Sequence, residues 1–192
     1  GWLFGLFVVM IPFYLILTVA RSHNIEYLNG IFEMKNASMP IFVSQPYIYI
    51  ANNYDNFNFL VGALPGHSFG LKGLFPLWAL SGLKFFFPQL INFPIYVDKT
   101  ELTTLTLFYD SYYDFGWIGV LLFSCILGAI AYILVVKLRE MRNPLGYLLY
   151  AQFAAYLMLS FFTTWFSNTT TWFYLILTGI MALFYHLRAS RW

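Results

Sequence analysis

Polar side chains that could take part in chemistry fall into a few short stretches of this chain. The first is Arg21, which ends the apolar run over residues 1–20. A guanidinium at the end of a membrane span can bind a phosphate or diphosphate through two parallel hydrogen bonds. It can equally extend to lipid headgroups without any further role. The residue type leaves both interpretations open for Arg21.

The second stretch is YIYIANNYDNFNF, residues 47–59, which begins with the alternation of a strand or of a helix start. It contains Asn52, Asn53, Tyr54 and Asp55 in succession. Amides and carboxylates hydrogen-bond sugar hydroxyls, and aromatic rings cover the apolar face of a sugar. Asn and Asp also favour turns and helix N-caps, so a purely structural role stays open for each of them.

The third and fourth stretches hold His67, in LPGHSFGLKG, and the pair Tyr113 and Asp114, in TELTTLTLFYDSYYDFGWIG. A histidine is a suitable general base near pH 7, although a lone loop histidine is often structural. On a helix, Asp110 and Asp114 share one face. Acids in a first helical turn also stabilise the positive end of the helix dipole, so capping is an alternative to catalysis.

The sequence contains no HExxH, paired CxxC, phosphate-binding loop or GxSxG motif, and we predict no metal and no cofactor. Gly116, Gly119 and Gly128 are predicted to allow close approach of neighbouring helices.

The composition indicates a protein that lies mostly in lipid. Hydrophobic residues make up 60% of the chain and charged residues 9%, whereas a soluble domain has roughly 25% charged residues. The net charge of +2 is small and the basic residues are scattered, which argues against nucleic-acid binding. The single cysteine, Cys125, has no partner for a disulfide within the chain.

Apolar runs of about 20 residues predict transmembrane helices, because a helix satisfies its own backbone groups in lipid. Four runs are candidates, at 1–20, 115–136, 145–166 and about 169–187. We therefore predict an all-α polytopic membrane protein with four transmembrane helices. Since the chain starts inside an apolar run, we expect it to be the C-terminal part of a longer protein.

Basic residues predict the orientation of these helices, because they accumulate on the cytoplasmic side. Lys137, Arg139 and Arg142 lie between the second and third runs, and Arg188 and Arg191 follow the fourth run. Both groups are therefore predicted to be cytoplasmic. Residues 21–114 then form a long extracytoplasmic loop, and residues 115–192 form three transmembrane helices with short connections. Within the loop, residues 74–91 carry Lys84 between two prolines and are predicted to be an interfacial or re-entrant helix.

The order of these features resembles the bacterial oligosaccharide repeat-unit polymerases, the Wzy-type enzymes of O-antigen, capsule and exopolysaccharide assembly. The most specific stretch is TTLTLFYDSYYDFGWIGVLLFSCILGAI, in which a Thr-rich approach leads to Tyr, Asp-Phe-Gly and later glycines. YIYIANNYDNF and GLKGLFPL match more loosely. The resemblance covers nearly the whole chain, as the C-terminal half of such an enzyme.

This resemblance implies a GT-C-like, metal-independent glycosyltransferase in the bacterial cytoplasmic membrane, with its long loop outside. Donor and acceptor would both be undecaprenyl-diphosphate-linked glycans, with membrane lipids and a chain-length regulator as further partners. It implies Arg21 for the diphosphate, and His67 or Asp114 for acid–base chemistry or acceptor positioning. The implied sugar contacts are Asn52, Asn53, Tyr54, Asp55 and Tyr113.

Three points stay open at this level. Only one arginine, Arg21, belongs to the outer loop, so a second diphosphate-binding cation would lie upstream or be one of the loop lysines Lys35, Lys72, Lys84 and Lys99. A transporter or flippase of lipid-linked glycans is an alternative function. An O-antigen ligase, which uses the same chemistry on a lipid A-core acceptor, is another.

Overall fold

The computed structural model describes residues 29–140, 143–161 and 163–189, together with isolated positions between residues 5 and 17. Those isolated positions are all helical. Arg21 and most of the helix predicted over 1–20 lie outside the described residues.

The described part of the chain is helical and contains no strand, which confirms the all-α prediction. The stretch over 47–59 belongs to a helix, so its alternating start does not mark a strand. The main helices are α1 (Ile41–Ala63), α2 (Phe75–Leu80), α3 (Tyr109–Glu140), α4 (Pro144–Met158) and α5 (Thr169–Ala189). Short 3-10 helices lie at Leu83–Phe85, Pro88–Leu90 and Trp165–Ser167.

Two of these helices are long and apolar enough to cross a membrane. The qualifying segments are Tyr109–Lys137 of α3 and Thr169–Arg188 of α5. Most of their side chains are not buried by the rest of the protein, which leaves apolar faces for lipid or for other helices. Helix α4 has 15 residues and ends at Met158, before the predicted end at residue 166. It is therefore shorter than the ~20 residues that a full span needs.

The last three helices run antiparallel, and hydrogen bonds fix both ends of the group. At one end, the Leu107 backbone N–H donates to the Ser160 carbonyl at 3.3 Å. At the other end, the side-chain amide of Asn143 donates to the Ala182 carbonyl at 2.8 Å. The starts of α3 and α5 therefore lie beside the end of α4.

Helix α3 is interrupted near its start. Phe115 and Gly116 have non-helical backbone angles, and Gly116 lies at φ 60°, ψ −146°, a region that essentially only glycine occupies. The predicted start of a span at residue 115 coincides with this break. Gly119 lies against the turn before the break, whereas a Cβ on Gly128 would meet no atom of the described residues within 4 Å. Close helix approach at Gly128 stays a prediction.

The segment predicted as one interfacial or re-entrant helix is broken into α2 and two 3-10 turns. Gly82, at φ 77°, ends the first piece, and Pro88 starts the last. Between them, Phe85 and Phe86 are 78% and 79% exposed. Exposed phenyl rings of this kind can enter the interface of a lipid bilayer. Lys84 Nζ lies 5.1 Å from the centre of the Phe85 ring.

Candidate functional site

Asp114 fixes the loop of residues 67–73 to the break in α3. Its Oδ1 accepts hydrogen bonds from the Ser68 hydroxyl and from the Lys72 backbone N–H, the latter at 3.1 Å. Its Oδ2 accepts from the Gly73 N–H at 2.7 Å. The Asp114 carbonyl accepts from the Phe69 N–H at 3.1 Å, and the residue is only 3% exposed. Both carboxylate oxygens are thus engaged in positioning the loop.

Glycine is required at position 73 for this contact. An added Cβ on Gly73 would lie 2.6 Å from Oδ2 of Asp114, closer than non-bonded atoms approach. The last glycine of LPGHSFGLKG therefore has a local cause, which is the close approach of the loop backbone to a carboxylate. The catalytic role of Asp114 stays a prediction, and the geometry assigns it a positioning role.

Asp114→Asn is expected to loosen this loop. The amide keeps one acceptor oxygen but places an NH₂ group opposite the backbone N–H of Lys72 or of Gly73, and it removes the charge. Each disturbed hydrogen bond of a buried group costs about 1–3 kcal/mol. We expect a lower melting temperature and faster hydrogen exchange across residues 67–73. The exposed acid Glu101, changed to Gln, is the control, and unchanged exchange in Asp114→Asn would contradict the assignment.

His67 lies at the same junction. Its Nδ1 is 3.3 Å from the Tyr113 carbonyl oxygen. A carbonyl can only accept, so Nδ1 carries the proton in this contact, and Nε2 of the neutral ring is an acceptor. The ring packs against Gly116, where an added Cβ would lie 3.2 Å from Nε2. The residue as a whole is exposed, and its role as a general base stays a prediction.

Lys72 and Asp110 form a mostly buried ion pair beneath this loop. Lys72 Nζ lies 3.4 Å from Asp110 Oδ1, and the two side chains are 14% and 9% exposed. Asp110 Oδ2 also accepts from the Ser167 hydroxyl, which connects the starts of α3 and α5. The ammonium lies over three aromatic rings, at 5.9 Å from Phe93, 5.8 Å from Tyr109 and 5.0 Å from Tyr113. Such contacts stabilise a cation that has lost part of its water.

A cleft of about 270 Å³ opens beside this ion pair, and we call it the lysine cleft. Its lining residues are Lys72, Phe75, Ile91, Phe93, Ile95, Leu105, Asp110, Thr164 and Ser167. An ammonium has three donors, and among the described residues Asp110 is the one carboxylate within ion-pair distance of Lys72. The remaining donors of Lys72, with the Thr164 hydroxyl, suit an anionic oxygen entering at the ends of the two candidate spans, whereas the Ser167 hydroxyl already donates to Asp110.

A second cleft, of about 380 Å³, lies between α1 and the segment before α3, and we call it the amide cleft. Its lining residues are Phe32, Glu33, Asn52, Asp55, Asn58, Phe59, Asp98 and Lys99. The structure thus brings together two of the residues predicted to contact sugar, Asn52 and Asp55. It adds charged residues from distant parts of the chain that no sequence pattern connected with them.

The other residues predicted to contact sugar lie elsewhere. Asn53 donates to the Phe161 carbonyl at 3.2 Å and is fully buried. Tyr54 is 60% exposed and does not line the amide cleft, and Tyr113 lies under the Lys72 ammonium. A role in sugar binding stays a prediction for these three residues, and the geometry places them outside the amide cleft.

The asparagines of α1 also hold the segment before α3 in place. Asn52 donates to the Leu102 carbonyl at 2.8 Å. Asn56 donates to the Leu102 and Thr104 carbonyls, at 3.1 and 2.9 Å, and accepts from the Asp98 N–H at 3.0 Å. Because a buried backbone group needs a partner, these amides fix one wall of the amide cleft.

No three His, Cys, Asp or Glu side chains of the described ranges are grouped so that they could hold a metal ion. Comparison with protein-family models, with curated proteins and with solved structures gives no significant match to this chain.

Proposed function

We propose that this chain is the C-terminal portion of a polymerase that joins undecaprenyl-diphosphate-linked oligosaccharide repeat units into a surface polysaccharide. The proposal includes a GT-C-like arrangement with four membrane spans in this part of the protein, and a site on the outer face of the bacterial cytoplasmic membrane. The observation that carries it is the lysine cleft: a buried cation with open donors, at the ends of two helices that could span a membrane.

The reaction breaks the bond between the anomeric carbon of the donor glycan and its diphosphate oxygen, and the bonding electrons leave with the diphosphate. A hydroxyl oxygen of the acceptor forms the new bond to that carbon and gives up its proton. His67 Nε2 takes this proton in the proposed mechanism, since Nδ1 is engaged with a carbonyl. Lys72 stabilises the charge that develops on the diphosphate, with Arg21 as a second cation.

Asp110 and Asp114 are positioning residues in this mechanism. Asp110 orients the Lys72 ammonium towards the lysine cleft, and Asp114 fixes the loop that carries both His67 and Lys72. One loop, held against the start of α3, therefore positions both the base His67 and the cation Lys72. In the proposed mechanism the amide cleft, with Asn52 and Asp55, binds sugar units of the glycan.

A reconstituted transfer reaction tests the proposal. The full-length protein in lipid nanodiscs is incubated with lipid-linked repeat units. These units are extracted from the cells in which the protein naturally occurs. A ladder of lipid-linked products, each longer by one unit, is expected. Unchanged single units, under conditions in which the protein is folded, would contradict polymerase activity.

The same preparation separates the alternative functions. Transfer that occurs only when lipid A-core is added would identify a ligase. Movement of labelled lipid-linked glycan across a proteoliposome membrane without any change in its length would identify a flippase.

A further inference from the structure

We propose that the amide cleft selects glycan units that carry no acidic group, so that neutral and amino sugars bind and uronic acids are rejected. This inference rests on the proposed function and names the class of sugar that the site accepts. It depends on the charge of the lining, on an unused acceptor and on the conformation of one wall.

The charges that line the amide cleft are mostly negative. Glu33, Asp55 and Asp98 contribute three carboxylates, against the single ammonium of Lys99. Lys99 Nζ lies 3.1 Å from Glu33 Oε1 and 3.8 Å from Asp98 Oδ2, so its charge is already shared. Within the described ranges Asp55 has no ion-pair partner. A bound carboxylate would therefore meet net repulsion.

The polar atoms available to a ligand are mainly acceptors. Asn52 is only 2% exposed and lines the cleft, and its amide nitrogen is used by the Leu102 carbonyl. No donor among the described residues bonds its Oδ1. Asn52 Oδ1 and the Asp55 carboxylate are both hydrogen-bond acceptors, so they need a ligand that donates hydrogen bonds. Sugar hydroxyls and ammonium groups donate, whereas carboxylates only accept. Phe32 and Phe59 provide apolar surface for the ring face of a sugar.

The wall that carries Glu33 is held in one uncommon conformation. Glu33 lies at φ 50°, in the left-handed region, and its N–H donates to the Gly30 carbonyl at 3.1 Å. The buried Asn29 fixes the same loop by donating to the Ala37 and Met39 carbonyls at 2.9 and 3.0 Å. This backbone conformation brings the Glu33 carboxylate within ion-pair distance of Lys99. A strained conformation persists where several surrounding contacts hold it in place.

Binding of matched glycans tests the charge selectivity. The full-length protein in neutral nanodiscs is titrated with oligosaccharides that end in glucose, glucosamine or glucuronic acid, and binding is followed by saturation-transfer NMR. We expect glucuronic acid to bind about threefold to tenfold more weakly than glucose, which is the size of one or two screened charge interactions. Glucosamine is expected to bind at least as well as glucose, and these differences should shrink at high salt.

Asp55→Asn is the informative variant, and Glu140→Gln, which removes an acid at the far end of α3, is its control. Asp55→Asn should narrow the gap between glucose and glucuronic acid by about threefold and weaken glucosamine binding. Glu140→Gln should leave all three affinities as in the unchanged protein. Equal binding of the three glycans, a preference for glucuronic acid, or no detectable binding of any of them would overturn the inference.

The outcomes also separate this inference from the proposed function. Ladder formation by the unchanged protein together with charge-blind binding would remove the selectivity but keep the polymerase. Charge-selective binding without any ladder would keep the amide cleft as a glycan site and remove the polymerase.

Discussion

Lys72→Met combined with Asp110→Asn is expected to abolish ladder formation while the protein remains folded. The double change removes the cation of the lysine cleft together with its buried counter-charge. Loss of one charged group that stabilises a developing oxyanion typically lowers a rate about 10²- to 10³-fold. Because each added repeat unit requires one transfer, such a loss leaves only the shortest products. Product length on a gel and the initial rate of transfer measure the effect.

The double variant is preferable to Lys72→Met alone for a physical reason. Removing Lys72 by itself leaves the Asp110 carboxylate buried and uncompensated, which costs about 3–5 kcal/mol. With Asn at position 110, an amide oxygen can still accept the Ser167 hydroxyl, so the connection between α3 and α5 is kept. Replacing a buried ion pair by neutral groups of similar volume is often close to neutral for stability.

Lys84→Met is the matched control, since Lys84 is also a lysine of the segment before α3 but lies over the Phe85 ring, outside the lysine cleft. It should form the same ladder as the unchanged protein. Melting temperatures of the three proteins show whether folding is affected. A double variant that is folded and extends the glycan at the normal rate would remove Lys72 from the mechanism.

The course of the helices could be predicted where one local pattern determines it. The apolar run from about 169 gave a start that agrees with α5, where Asn168 Oδ1 accepts from the Thr170 N–H at 2.9 Å. The apolar run from 115 predicts a span start at the position where α3 is interrupted, but it does not predict the interruption. Essentially only glycine adopts the backbone angles of Gly116, yet a glycine in an apolar run is equally typical of close helix packing.

The end of α4 could not be predicted in the same way. The apolar run continues beyond Met158, and composition does not distinguish a helix from a turn there. The Ser160 and Phe161 carbonyls accept from the Leu107 N–H and the Asn53 amide, respectively. These partners lie far away in sequence, so the helix ends because of tertiary contacts.

The candidate site shows the same division. Asp114 and His67 were recognisable as residue types, and the structure places both at one junction. The pairing of Lys72 with Asp110 depends on how the loop folds back onto α3, which no local pattern encodes. For Asn52, residue type indicated hydrogen bonding but not its partner, the Leu102 carbonyl.

Gly119→Ala is expected to destabilise the protein strongly through the break in α3. An added Cβ would overlap the Ser111 carbonyl oxygen and lie 2.9 Å from the Phe115 Cβ. One of these atoms belongs to the backbone, so no side-chain rotation can relieve the overlap. The turn at 115–116 must then open, which costs about 3 kcal/mol on the scale of overpacked interiors. Because Asp114 directly precedes this turn, the loop of residues 67–73 and the Lys72 ammonium should lose their positions as well.

Gly128→Ala provides the control, because it makes the same change in the same helix at a position where an added Cβ meets none of the described residues within 4 Å. Alanine favours a helix over glycine by up to about 1 kcal/mol, so this variant should melt at the same temperature or slightly higher. Thermal unfolding in detergent measures both variants, and hydrogen exchange across residues 67–73 reports the loop. Gly119→Ala should therefore lower the melting temperature and Gly128→Ala should not, because the cost arises from the close approach at the break in α3 and not from the loss of a glycine. If Gly119→Ala melts at the same temperature as Gly128→Ala, and residues 67–73 remain protected from hydrogen exchange, the folded arrangement of residues 111–119 is excluded.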